Sequence, residues 1–226
     1  MGVVENGTSF HTDWEKIHAG REWGGYPSEH VIRFVARNFY SAPDRSKVKI
    51  LDFGCGAGAN TWYLANEGFD TYAFDGSKSA VARAEKNLAK KGLAAHFLVA
   101  DGIQLPYESE TFDAIIDNVM IYSNTLANIR MMYGECHRFL KTGGKFFSCV
   151  FGREMTGYGS GTEIEPNTFA DTTEGRAAHT GYMHCFDRQE LHDVLAEAGF
   201  SRIVIEEVRY TDVGSLVHQY IAKAEK

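Results

Sequence analysis

A short stretch near residue 50 constrains the fold of this chain more than any other part of it. Residues 48–53 predict a buried strand, which runs directly into the glycine-rich segment 54–58 and then into a helix predicted over 59–67. Glycines at alternate positions allow a tight turn and let a ligand approach the backbone. The free amide groups at the start of the helix favour an anionic ligand group. The pattern predicts a strand–turn–helix unit that binds a ligand.

Strands and helices continue to alternate after this unit. The further predicted strands are 71–74, 95–99, 111–116, 145–151, 201–209 and 215–222. The alternation predicts an α/β fold with a doubly wound, mostly parallel seven-stranded sheet, and the short turn between the last two strands predicts an antiparallel C-terminal hairpin. Ligands of such sheets bind beyond the carboxyl ends of the strands, where the strand order reverses.

The length of 226 residues predicts a single domain. We divide it into four parts: an N-terminal lid and helix (1–45), a cofactor-binding core (46–151), a long substrate loop (152–185), and a C-terminal helix and hairpin (186–226). Segments 14–29, which includes Trp23, and 152–185 are the two stretches long enough to cover the carboxyl ends of the strands. We expect both to form a lid that covers a substrate bound there and excludes water from it.

Composition excludes several classes of function. The net charge of −7 favours a small uncharged or cationic substrate over nucleic acid. No apolar run approaches the roughly 20 residues of a membrane span, and the polar N-terminus lacks the features of a secretion signal. The four cysteines form no C-x-x-C pair, which favours reduced thiols in the cytoplasm over disulfides or zinc.

Acidic residues stand at or beside the ends of the predicted strands. Asp52 would lie beside the amino-acid end of a ligand, and Asp75 could accept hydrogen bonds from both hydroxyls of a ribose. Asp101 could accept from the exocyclic amine of an adenine, with Ile103 against the ring. The glycine spacing alone also satisfies the nicotinamide-dinucleotide motif, so a dinucleotide site stays open at this point.

As a set, these motifs resemble the class I S-adenosylmethionine-dependent methyltransferases of the small-molecule type. The segments that carry the resemblance are 51–58, Asp75, 100–102, 112–116 and 139–146. The resemblance implies S-adenosyl-L-methionine as the cofactor, with the glycines along its methionine part, Asp75 on its ribose and Asp101 with Gly102 on its adenine. The full set of expected cofactor-binding residues is Asp52, Gly54, Cys55, Gly56, Gly58, Asp75, Gly76, Ser77, Asp101, Gly102, Ile103 and Asn118.

Methyl transfer requires an acceptor held in line with the methyl–sulfur bond, and such enzymes share no universal catalytic residue. The candidates for a catalytic role are Tyr122, His184 and Tyr26. The fifth strand is not followed by a second pair of acids, so we expect no metal. The predicted function is methyl transfer to an oxygen or nitrogen of a small molecule. The alternatives are a nicotinamide-dependent oxidoreductase and a non-catalytic module that binds a nucleotide cofactor.

Overall fold

The computed structural model describes residues 8–20 and 24–226. Within them, the strands in chain order are β1 (Lys49–Phe53), β2 (Asp70–Asp75), β3 (His96–Val99), β4 (Phe112–Asn118), β5 (Leu140–Phe151), β6 (Thr162–Glu165), β7 (Thr168–Ala170), β8 (Tyr182–His184), β9 (Ser201–Asp212) and β10 (Ser215–Glu225). The helices are α1 (Asp13–Gly20), α2 (Glu29–Phe39), α3 (Ala59–Asn66), α4 (Lys78–Ala89), α5 (Leu126–Phe139) and α6 (Arg188–Glu197).

Seven of these strands form the main sheet, in the order β3-β2-β1-β4-β5-β10-β9. Strands β1 to β5 are parallel, whereas β10 runs antiparallel to both β5 and β9. The predicted doubly wound sheet with its antiparallel hairpin is therefore confirmed. The strand order reverses between β1 and β4, so this is where the carboxyl ends of the strands leave a crevice for a ligand.

Hydrophobic packing on the two faces of the sheet fixes the position of the strand ends. One face carries α2 and α3, with Val31, Phe34 and Leu64 fully or almost fully buried. The other face carries α5 and α6, where Met132 and Leu191 are completely buried. Because both faces are covered by helices, the parallel strands are apolar along most of their length, as their sequences indicated.

The structure differs from the sequence-based expectation in strand β5. The prediction began this strand at residue 145, because Gly143 and Gly144 normally end an element. The strand in fact begins at Leu140, which pairs with Phe112, and the register shifts before Lys145 pairs with Ala114. Gly143 adopts a φ of 78°, which permits this irregularity inside the strand.

Segment 152–185 is not the irregular loop that the sequence indicated. It contains β6, β7 and β8, which form a small antiparallel sheet in that order. The His184 amide donates to the Tyr122 carbonyl at 2.9 Å, and the Phe186 amide donates to the Phe151 carbonyl at the same distance. The small sheet is thereby attached beside the carboxyl ends of β4 and β5. Its strands are three or four residues long, too short to show a clear period.

The N-terminal segment also contains regular structure that was not predicted, namely helix α1. We call residues 8–20 the N-terminal strap. Trp23 lies outside the described residues. Across the described part of the chain, no helix combines the length and apolar character needed to cross a membrane.

Candidate functional site

A cavity of about 280 Å³ opens at the point where the strand order reverses. One wall is formed by the glycine-rich turn after β1 and by Asp75 and Gly76 at the end of β2. The opposite wall comes from residues after β4 and from segment 152–185, while the strap covers the top. The cavity therefore lies at the carboxyl ends of the parallel strands, where ligands of such sheets bind.

The turn after β1 depends on glycine at two positions in particular. A Cβ on Gly54 would stand 2.3 Å from Cγ of Met120, and the φ of Gly54 is 78°. Gly58 precedes α3 with a φ of 85°, and a Cβ there would stand 2.7 Å from the Cβ of Ala84 on α4. Gly54 thus borders the cavity, whereas Gly58 lets α3 and α4 pack closely and does not line the cavity.

Helix α3 begins at this turn with no side-chain cap on its first amide groups among the described residues. Its start therefore offers N–H donors and the positive end of the helix dipole to an anionic group. Cys55 lines the same wall, and burial raises the pKa of its thiol well above the ordinary value, so the thiol stays protonated.

Asp75 is the only carboxylate among the described residues that line the cavity. Its two oxygens accept hydrogen bonds from the backbone amides of Gly56 and Ser77, both at 2.9 Å. Burial raises the pKa of this carboxyl in spite of the two bonds. The amides hold Asp75 rigidly against the glycine-rich turn, and the remaining lone pairs of its oxygens can accept from a ligand.

Two other predicted cofactor residues lie behind the cavity wall. Ser77 caps α4 by accepting from the Ala80 amide at 3.0 Å. Asp52 is buried and accepts from the Thr61 hydroxyl at 2.6 Å and from the Asn60 amide group at 3.4 Å. Burial raises the pKa of Asp52 to about 6. Neither side chain lines the cavity, whereas Asn60, which donates to Asp52, does.

Asn60 itself was not singled out from the sequence. It lines the cavity, and its side-chain oxygen is buried with no hydrogen-bond partner among the described residues. A buried acceptor without a donor is costly, so this oxygen suits a ligand that carries N–H groups. Its position in the first turn of α3, eight residues after the acid Asp52 near the end of β1, was the available signal.

The strap donates most of the hydrogen bonds to Asp101, the residue expected to bind the adenine. It accepts from the hydroxyls of Thr8 and Ser9, from the amides of Ser9 and Phe10 at 2.7 and 3.1 Å, and from the Ile103 amide at 3.1 Å. Although partial burial works in the opposite direction, the Ser9 and Thr8 bonds hold the pKa of Asp101 below its ordinary value. A carboxylate offers about four acceptor positions, so these donors saturate it.

The rest of the strap crosses the cavity from β2 towards β4. Glu15 accepts from the hydroxyls of Ser77 and Ser79 at 2.6 and 2.5 Å. The Trp14 indole donates to the Ser123 hydroxyl at 3.1 Å. Phe10 lies so close to Gly76 that a Cβ on that glycine would stand 2.1 Å from its ring. The strap is therefore bonded to both sides of the crevice.

The residues after β4 divide between the wall and its support. Asn118 and Tyr122 line the cavity. Gly76 and Gly102, which like Asn118 were expected to bind the cofactor, line it as well. Asp117 is fully buried beneath them and accepts from the Ser148 hydroxyl at 2.6 Å and from two backbone amides of the following turn. Ile103 and Asp101 lie outside the lining set.

The three candidates for a catalytic role are not brought together. Tyr122 is 3% exposed and lines the cavity, and burial raises the pKa of its hydroxyl. Tyr26 also lines the cavity, but it is 83% exposed at the entrance. His184 is completely buried outside the lining set, with Nδ1 2.7 Å from the Thr168 hydroxyl and Nε2 3.5 Å from Glu190.

Comparisons with known proteins agree with this geometry. A family model described as a methyltransferase domain matches residues 50–144. An uncharacterized methyltransferase of Synechocystis is 33% identical over 98 residues, which cover 43% of this chain and 44% of that protein. A ubiquinone biosynthesis O-methyltransferase of Agrobacterium fabrum is 23% identical over 131 residues, covering 56% of this chain and 52% of that protein. This chain thus spans about half the length of these curated relatives.

Among solved structures, an S-adenosylmethionine-dependent methyltransferase from Methanosarcina mazei superposes with a TM-score of 0.68. Its sequence is 22% identical, and the superposition covers 89% of this chain and 98% of that one. At this level of identity the superposition shows that the two proteins share a fold.

Proposed function

We propose that the chain is a member of the class I S-adenosylmethionine-dependent methyltransferase family, as its match to the methyltransferase-domain model over residues 50–144 supports, and that it transfers a methyl group from S-adenosyl-L-methionine to an oxygen or nitrogen atom of a small molecule. The observation that carries the proposal is the cavity at the strand-order reversal, where the turn after β1, the start of α3 and Asp75 share one wall. We propose that residues 1–226 act as one domain, with the strap and segment 152–185 as its cover.

The residues of this wall fit the parts of the cofactor. The uncapped start of α3 would receive the carboxylate of its amino-acid end, and the partnerless oxygen of Asn60 would receive the ammonium group. The carboxylate of Asp75 would accept from the ribose hydroxyls. When bound, the cofactor supplies a methyl group on a positively charged sulfur, which is already activated for transfer.

The residues of the chain would then bind, orient and cover the reactants. Asn118 and Tyr122 lie on the wall opposite Asp75 and would position the acceptor for in-line attack. The raised pKa of Tyr122 keeps its hydroxyl protonated, so it acts as a hydrogen-bond donor rather than a base. The strap closes the cavity from above, which excludes water from the reacting atoms.

Ligand binding tests the cofactor part of this proposal. S-adenosylhomocysteine should raise the melting temperature of the protein, because a ligand that binds only the folded state stabilises it, whereas NAD should not. The Asp75→Asn variant should bind S-adenosylhomocysteine roughly tenfold more weakly or worse, since it loses hydrogen bonds to a charged group. Asp70→Asn, at the opposite end of the same strand, is the matched control.

The outcomes separate the three candidate functions. A melting shift with NAD alone would favour the nicotinamide-dependent oxidoreductase, whose glycine motif this chain formally satisfies. Binding of S-adenosylhomocysteine without methyl transfer to any acceptor in a broad panel of hydroxyl and amine compounds would favour the non-catalytic module. Equal affinity in the wild type and Asp75→Asn would mean that Asp75 does not hold the ribose.

A further inference from the structure

The cavity wall opposite the glycine-rich turn contains an arginine that no part of the proposed cofactor site uses. We call this the acceptor wall; it consists of Tyr122, Phe151, Arg176 and Thr180. The rings of Tyr122 and Phe151 are in edge contact with a centroid distance of 4.6 Å. The wall therefore combines an apolar aromatic surface with one guanidinium group.

Arg176 is held in place by the C-terminal hairpin. Its Nη1 donates to the Asp212 carboxylate at 3.0 Å and to the Tyr210 hydroxyl at 3.3 Å. Both partners belong to β9, so the guanidinium bridges segment 152–185 and the main sheet. Half of the Arg176 side chain remains exposed.

The rest of the guanidinium is available to a ligand. Its Nε and Nη2 donors have no partner among the residues that the structure describes. Together these two nitrogens present a planar, parallel pair of N–H donors, the arrangement that matches the two oxygens of a carboxylate. A neutral acceptor would leave this pair of donors without such a partner.

The charge of the lining residues agrees with this interpretation. Among the described lining residues, Arg176 and Asp75 are the only side chains of the arginine, lysine, aspartate and glutamate types, and Asp75 belongs to the opposite wall. Burial lowers the pKa of His18, which also lines the cavity, and so favours its neutral form. Arg176 is thus the one charged side chain of the acceptor wall among the described residues, and the Asp212 carboxylate that partly offsets its charge lies outside the cavity lining.

We propose that the acceptor is a monoanionic, ring-containing small molecule whose carboxylate binds Arg176 while its ring packs against Tyr122 and Phe151. This proposal rests on the proposed function and narrows its substrate class. A phosphate dianion fits less well, because the wall contains a single arginine, whose charge the Asp212 carboxylate already partly offsets. The net charge of the whole sequence had favoured an uncharged or cationic substrate, and this proposal differs from that expectation.

Two isosteric probes test the proposal on protein saturated with S-adenosylhomocysteine. They are 4-fluorobenzoate and 4-fluorobenzamide, which differ in charge but hardly in shape, and their dissociation constants can be measured by fluorine NMR. In the wild type we expect the benzoate to bind roughly tenfold or more tightly than the benzamide. In Arg176→Met the preference should fall below about threefold, and Arg176→Lys should keep part of it because it retains the charge without the planar fork.

Arg130→Met is the matched control, because Arg130 has nearly the same exposure and a comparable carboxylate partner, Glu197, but does not line the cavity. It should keep the full preference for benzoate. Equal binding of both probes, binding of neither, or an unchanged preference in Arg176→Met would overturn the proposal. Titration of each variant with S-adenosylhomocysteine separates failure of this proposal from failure of the proposed function. If the proposed function fails, S-adenosylhomocysteine will not bind even to the wild type. If only this proposal fails, it will still bind to the wild type and the variants.

Discussion

The saturation of Asp101 by the strap predicts that the strap and the cofactor compete for one carboxylate. The test is a double variant, Thr8→Val with Ser9→Ala, which removes two hydroxyl donors and keeps both backbone donors of the strap. With the strap closed, the adenine amine can reach Asp101 only by displacing a donor. Weakening the strap should therefore strengthen cofactor binding.

The size of the effect follows from the two hydroxyl bonds. A hydrogen bond to a charged group contributes roughly 1.5–3 kcal/mol when buried, and partial exposure of Asp101 reduces this to about 1 kcal/mol each. Loss of both would shift the closed–open equilibrium of the strap by about 2 kcal/mol, or roughly thirtyfold. The apparent affinity rises with the open fraction, so this factor is the upper limit of the gain.

Isothermal titration with S-adenosylhomocysteine measures the change. We expect the dissociation constant to fall by about five- to thirtyfold in the double variant. Ser46→Ala is the control, because it removes a similar serine–aspartate bond, 2.6 Å long, on an exposed surface turn. An unchanged or weaker affinity in the double variant would refute the reasoning, since it would mean that the strap helps to hold the cofactor rather than competing with it.

Two further predictions concern buried groups. Burial raises the pKa of Asp117 to about 6 from 3.8, so the folded state binds this proton more tightly than the unfolded chain does. Its contribution to stability is present at low pH and is lost as the pH rises from 3.8 to about 6. Over that interval Asp117 should lower the unfolding free energy of the wild type by about 3 kcal/mol, and the Asp117→Asn variant should lack this part of the decline. Urea titration at a series of pH values measures the difference, and identical pH profiles of the two proteins would contradict this assignment. His184→Gln should lower the unfolding free energy by about 1–3 kcal/mol, because it breaks the buried bond to Thr168, without changing the affinity for S-adenosylhomocysteine. Loss of methyl transfer at unchanged stability would instead assign His184 a catalytic role.

The part of the fold that follows from local patterns could be predicted from the sequence. The apolar strand 48–53 and the glycines after it place β1, its turn and α3 correctly, because burial on both faces and the need for positive φ leave few alternatives. The C-terminal helix predicted within 186–226 is α6, and Asp187 caps it by accepting from the Glu190 amide at 2.8 Å. These features depend on neighbours a few residues apart.

The features that the sequence did not predict depend on distant contacts. Nothing local to Asp101 indicates that Thr8 and Ser9, more than ninety residues earlier, donate to it. His184 was a candidate for a catalytic role, but it is buried in the small sheet, beside Thr168 and Glu190. A titratable residue in a segment without a clear period gives no signal of which side it faces.

The chain leaves the main sheet to form the small sheet of β6, β7 and β8, and it returns to the main sheet at the same place. Gly152 and Phe186, at its two ends, lie side by side in a parallel bridge. The thirty-three residues between them therefore begin and end at one point, and loop-closure entropy alone sets little limit on the length of the segment, because it grows only with the logarithm of length. Met155, Phe169 and Met183 of this segment belong to the same buried cluster as Phe53 and Phe74, so a replacement segment would have to supply equivalent apolar side chains. A segment of different length and sequence could therefore replace this one between Gly152 and Phe186, and one cofactor-binding core could in this way serve different acceptors.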